Sequence, residues 1–156
     1  MYFSTENDVV ELVRRFEDRT ITKAEWTHEA HLSVGLYYCV NHSLGVAKNL
    51  MGDGIYWLND RHGTPNTENS GYHETLTVFW LNKIADFVKA HDYEEDLGVL
   101  ANTMLAEFTD RDLPLREYTR ETLFSAQARQ TYVKPDLIAC KPVALEFESV
   151  RGSVSS

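Results

Sequence analysis

The chain has only two cysteines, Cys39 and Cys140, in 156 residues. They cannot make a disulfide framework, and no CxxC pair is present for zinc or redox chemistry. Cys39 lies in the apolar run Leu36-Tyr37-Tyr38-Cys39-Val40 and reads as a small buried hydrophobe. Positive charge is also scarce, with 15 Lys and Arg against 24 Asp and Glu and a net charge of −9. A nucleic-acid groove or an anionic membrane surface needs a positive footprint, so neither partner is expected. Long hydrophobic runs are missing as well. The stretch Ala30 to Ala47 lacks Asp, Glu, Lys and Arg, yet His31, Ser33, Asn41, His42 and Ser43 make it a poor membrane span. No basic start followed by an apolar stretch opens the sequence, so no signal peptide is expected and a cytoplasmic protein is the default. Glycine-rich phosphate loops, a GxSxG elbow and HExxH are absent too.

What is present suits one globular domain. Hydrophobic residues make up 43% and charged residues 25%, a balance that can support a core without staples. At this length one core buries roughly 70% of the unfolded chain's surface. The expected division is a single helical domain over 1–140 and a tail over 141–156, either a strand or a loose arm. No internal repeat or low-complexity block interrupts it.

Hydrophobic spacing is helical for most of the length. A first helix is expected over about 6–18, with Val9, Leu12, Val13 and Phe16 on one face. Thr22-Lys-Ala-Glu25 has the form of a capping box, which predicts a second helix from there to about Asn41. That helix is apolar nearly all round, the signature of a central position. Ser43 should cap a third helix, in which Gly52 and Gly54 mark a kink or a close helix contact. A fourth runs from about Tyr72 to His91, and Asp92-Tyr-Glu-Glu95 resembles a capping box for a fifth. Pro114 to Gln130 can hold one or two short helices with Thr119 and Ser125 as caps. The predicted fold is all-α, an up-and-down bundle of four to five helices with a short C-terminal extension.

The six histidines divide by position. His42, His62 and His91 fall at or just past predicted helix C-termini, where an imidazole can bond free carbonyls. His28, His31 and His73 fall instead in the N-terminal parts of the second and fourth helices. Alternate helices of an up-and-down bundle run parallel, so those two N-termini share one end. His28 and His31, three apart, share a face that continues through Gly35 and Tyr38, a small and polar stripe with room for a ligand.

Three histidines with an open position suit Zn, and with a carboxylate they suit Fe, Mn or Ni, so a divalent metal is the expected cofactor. Glu74 is the nearest carboxylate, as a fourth ligand or as the general base on a metal-bound water. Glu25 already has the capping-box role, and Glu29 is expected to point away from the His28/His31 face. Trp26, Tyr38 and Tyr72 are the expected substrate-binding residues. Two other readings stand beside this one: a metal-free polar pocket, and structural histidines, with His73 simply capping its own helix. In the C-terminal segment Tyr118, Arg120, Arg129 and Asp136 are expected to latch the extension onto the bundle; Arg120 or Arg129 could instead clamp an anion.

Trp26-Thr-His-Glu-Ala-His-Leu32, Gly71-Tyr-His-Glu-Thr-Leu-Thr77 and Lys134-Pro-Asp-Leu137 together resemble an uncharacterised bacterial family of small helical proteins. The resemblance spans the first helix to Leu137 and implies no established activity. Size and architecture are also similar, by analogy of design, to the DinB-like metal-binding bundles. There a single histidine comes first and a pair four apart follows; here the pair comes first and is three apart. The functional expectation is a metal-dependent hydrolase or group-transfer enzyme acting on a small molecule. Its alternatives are a non-enzymatic small-molecule binding module and a structural or partner-binding bundle. A homodimer is possible, but no apolar stripe demands one.

Overall fold

A computed structural model of the chain describes residues 3–91 and 95–137. The expected tail from 141 lies outside these residues, as do Cys140 and positions 92–94 of the acidic turn. Within them the protein is all-helical, with seven α-helices, one 3-10 helix and no strand. The helices are α1 (Glu6–Glu17), α2 (His28–Asn41), α3 (Leu44–Arg61), α4 (Glu74–Ala90), α5 (Leu97–Glu107), α6 (Arg120–Leu123) and α7 (Ala126–Gln130). Leu113–Arg116 form the 3-10 turn. No helix among the described residues is long and apolar enough to cross a membrane.

The second helix is the axis of the fold. Leu32, Val34 and Leu36 are buried on successive sides of it, and it packs against α1, α3, α4 and α5. A helix that is apolar all round can be stable only where neighbours cover every face. Its buried polar side chain is satisfied locally, since Ser33 Oγ donates to Glu29 O at 2.8 Å.

Most caps are local chemistry. Ser43, Thr119 and Ser125 are the N-caps of α3, α6 and α7, each accepting an N–H three residues on. Asp96 caps α5 by accepting from Gly98 N and Val99 N. His42, His62 and His91 are the C-cap residues of α2, α3 and α4.

The start of α2 differs from the sequence expectation. Thr22 and Glu25 do make their reciprocal bonds, but they close a single turn and not the helix. Glu25 is drawn to Arg15 of α1 at 2.6 Å, and Thr27 is extended and becomes the N-cap, accepting from Ala30 N. The restart places His28 and His31 in the first turn of α2, later in the chain but nearer the helix end.

Gly54 resolves as a close helix contact. A Cβ there would lie 2.3 Å from Phe16 Cζ, so α1 and α3 approach to a distance that only glycine allows. Gly35 is likewise covered, with Ile84 Cδ1 2.9 Å from the place a Cβ would take. It therefore offers no room to a ligand; α4 occupies the space.

Candidate functional site

A cavity of about 610 Å³ opens where the first turns of α2 and α4 meet. That volume is within the range of small-molecule sites, roughly 300–1,000 Å³. Trp26, His28 and His31 form one side, Tyr72, His73 and Trp80 another, and Leu32, Met51 and Ile84 close the interior. Arg111, from the turn between α5 and the 3-10 helix, stands at its rim.

The α4 side is delivered by a fixed loop. Asn66 accepts from Tyr72 N at 2.9 Å and from Asn59 Nδ2 at 3.1 Å, and donates to Tyr56 O at 3.0 Å. Gly71 turns the chain with φ +79°, where a Cβ would collide with Pro65 O at 2.4 Å. Tyr72 then reaches the cavity while its hydroxyl donates to Glu74 Oε1 at 2.6 Å.

All three candidate histidines touch this cavity, but their ring nitrogens are not equally available. His73 is 7% exposed and is the N-cap of α4. Its Nδ1 accepts from Leu76 N at 3.1 Å, and its Nε2–H donates to Leu123 O at 2.8 Å. Both nitrogens are engaged, and a metal would have to break one of these bonds. His73 is thus a cap and a tie in this structure, and it is not disposed as a metal ligand. His31 donates Nδ1–H to Thr27 O at 2.8 Å, which fixes the tautomer and leaves Nε2 as an acceptor. His28 Nε2 is buried with no hydrogen-bond partner among the described residues, and so is Trp26 Nε1. Buried polar atoms of this kind are rare and mark places where a ligand or water completes the bonding.

Aromatic contacts hold the two remaining rings. His31 lies against Trp26 with centroids 4.0 Å apart, and Trp26 stacks on Phe16 at 4.8 Å. His28 meets Trp80 edge to face at 4.9 Å. No group of three or more His, Cys, Asp or Glu among the described residues could hold a metal ion.

Two further candidates lie elsewhere. Tyr38 faces away from the cavity, because its hydroxyl finds Glu17 of α1 at 2.7 Å. Glu74 is not a cavity wall; its carboxylate is engaged by Tyr72 and sits on the first turn of α4, where negative charge complements the helix dipole. Of the four residues expected to latch the C-terminal segment onto the bundle, Arg129 does so by donating to Gly71 O at 2.9 Å, and the Tyr118 ring packs on Phe79 of α4 with centroids 6.5 Å apart. The Tyr118 hydroxyl donates to Val133 O, and Asp136 accepts from Thr119 N, Thr119 Oγ1 and Thr122 Oγ1, so these bonds tie the segment to itself. Arg120 lies over the Phe124 ring instead. Thr75 adds a tie of its own, donating to Thr131 O and accepting from Val133 N. Arg111 had no sequence signal, since nothing in the α5 pattern says that its exit turn reaches α2.

The His28, His31 and His73 imidazoles are held below their ordinary values, with burial as the main cause. Arg111 lowers His28 and His31 further, and Arg129 lowers His73; His31 falls to about 4. Unfolded imidazoles protonate from about pH 6.5 downward while the native rings resist, so the unfolded state binds more protons in that interval. Native stability is therefore complete above about pH 6.5 and declines as the pH falls toward 4. His31→Gln is expected to flatten this acid limb in urea titrations taken at half-unit steps. An unchanged slope would assign the proton uptake to other groups.

No match is found among family models, curated proteins or solved structures. The cavity's own chemistry carries the functional reading.

Proposed function

We propose that the chain is a small-molecule binding protein whose ligand occupies the cavity between the first turns of α2 and α4. The observation that carries this is a cavity of about 610 Å³ with the aromatic walls Trp26, Tyr72 and Trp80, behind which His28 Nε2 and Trp26 Nε1 are enclosed without partners. An apolar chamber with a few polar groups is the general form of such sites. A stack from Phe16 through Trp26 to His31 braces one wall before any ligand arrives. The up-and-down bundle of four to five long helices belongs to the same reading, with α6 and α7 as the extension that closes the α4 side.

The test is a fragment screen on the full chain, followed through the indole N–H resonances of Trp26, Trp57 and Trp80. A cavity ligand is expected to move the Trp26 and Trp80 signals and to leave Trp57 in place, since Trp57 is 47% exposed and lines no part of this cavity. Hits that move only Trp57, or a library with no hits, would sink the reading.

A second reading is a metal-dependent hydrolase or transferase, and the uncommitted Nε2 atoms of His28 and His31 favour it. Depressed basicity keeps both rings neutral, as ligation requires. Elemental mass spectrometry on untagged protein separates the two. Stoichiometric Zn, Fe, Mn or Ni lost in a His28→Ala, His31→Ala double variant would establish the metal site. Its absence after reconstitution would leave the binding reading alone.

A further inference from the structure

The cavity has an asymmetric charge pattern that narrows the ligand. Arg111 makes no side-chain ion pair or hydrogen bond among the described residues, a state it shares with Arg61, and Arg111 is the arginine on the cavity lining. Its guanidinium borders the rim in a protein of net charge −9, where acidic partners are plentiful. One carboxylate, Glu29, shares the cavity lining, against the expectation that it points away from His28 and His31, because the cavity wraps the first turn of α2. Glu29 sits on the first turn of α2, where it is held below its ordinary value chiefly by backbone N–H groups.

We propose that the ligand is an aromatic monocarboxylate, its ring among the cavity's aromatic walls and its carboxylate on Arg111. This deepens the binding reading above and rests on it. A guanidinium offers a planar fork of donors that matches a carboxylate with two parallel bonds. One cation facing one resident anion suits a single negative charge; a phosphate dianion would meet Glu29 with only Arg111 in compensation. A cationic ligand would face Arg111, with Glu29 as the carboxylate on the lining to offset it.

Four probes with one ring system separate the possibilities: 1-naphthaleneacetate, 2-(1-naphthyl)ethanol, 2-(1-naphthyl)ethylamine and 1-naphthyl phosphate. Calorimetric titration of the full chain at low salt is expected to rank the acetate first, about tenfold or more tighter than the alcohol, or about 1.4 kcal/mol. Arg111→Gln should remove that advantage and leave the alcohol unchanged. Arg111 is exposed and bonds to nothing among the described residues, so the variant should fold, which a thermal melt checks. Equal binding of acetate and alcohol, or an Arg111→Gln protein that still prefers the acetate, would overturn the carboxylate inference while the cavity reading stands. Preference for the phosphate or the amine would overturn it as well. If none of the four binds, the carboxylate inference falls, while the fragment screen decides the cavity reading separately.

Discussion

His73→Ala is expected to lower the unfolding free energy by about 3 kcal/mol, which for a chain of this size is roughly 9 °C in Tm. Two bonds go at once. Loss of the Nδ1 cap leaves Leu76 N without its acceptor, typically about 1 kcal/mol. Loss of Nε2–H strands the Leu123 carbonyl in a buried setting, about 1–3 kcal/mol. The second bond also fastens α6 to α4 across fifty positions, so its loss loosens the C-terminal segment along with the helix start. His73→Asn keeps an oxygen at the N-cap and should recover about 1 kcal/mol of the deficit. Circular dichroism melts at pH 7.5, with exposed His42→Ala as the reference, provide the comparison. Equal losses at the two positions would show that the His73 bonds contribute little. The same variant bears on metal content, because a residue whose nitrogens serve Leu76 and Leu123 should not change metal occupancy when it is removed.

Phe16→Ala should cost more, about 4 kcal/mol, in the range for a buried phenylalanine. Its ring is 1% exposed and packs on three sides at once. Trp26 stacks on it at 4.8 Å, Tyr38 lies 6.4 Å away, and Gly54 of α3 gives up its Cβ to make room. The converse variant, Gly54→Ala, inserts a methyl into the ring's space. It should destabilise by about 1–2 kcal/mol, because overpacking outweighs the helix-propensity gain of about 1 kcal/mol. In the Phe16→Ala background the added methyl has space, and the same glycine change should become neutral or favourable. Urea unfolding of the four proteins forms a double-mutant cycle whose coupling should reach about 2 kcal/mol. Additive losses would mean that α1 and α3 do not meet at this pair. Because Trp26 rests on Phe16, the single phenylalanine variant should also weaken ligand binding in the cavity.

The local devices were legible in the sequence. Caps at Ser43, Thr119 and Ser125 depend on a side chain and an N–H three residues away, and short-range chemistry of that kind is written in the order of residues. The apolar circumference of α2 told of a central helix for the same reason, since a helix without a polar face has only one stable place. Helical content and the three histidines at helix C-termini follow from patterns of three to seven residues.

Where a group chooses among distant partners, only the tertiary structure decided. The Thr22 box promised a continuous helix, but Glu25 found Arg15 on α1 and the chain restarted at Thr27. Tyr38 shares the helical face of His28 and His31 in a heptad count, yet its hydroxyl goes to Glu17. The Gly35 gap was read as space for a ligand and is filled by Ile84. His73 carries both kinds of information in one ring: its Nδ1 bond to Leu76 is local and was readable, while its Nε2 bond to Leu123 needs the whole fold. Arg111 entered the site only because α5 ends beside the start of α2. Secondary structure is set by neighbours in the chain. The site is set by which helix ends are brought together, and by whether each polar atom there has already found a partner.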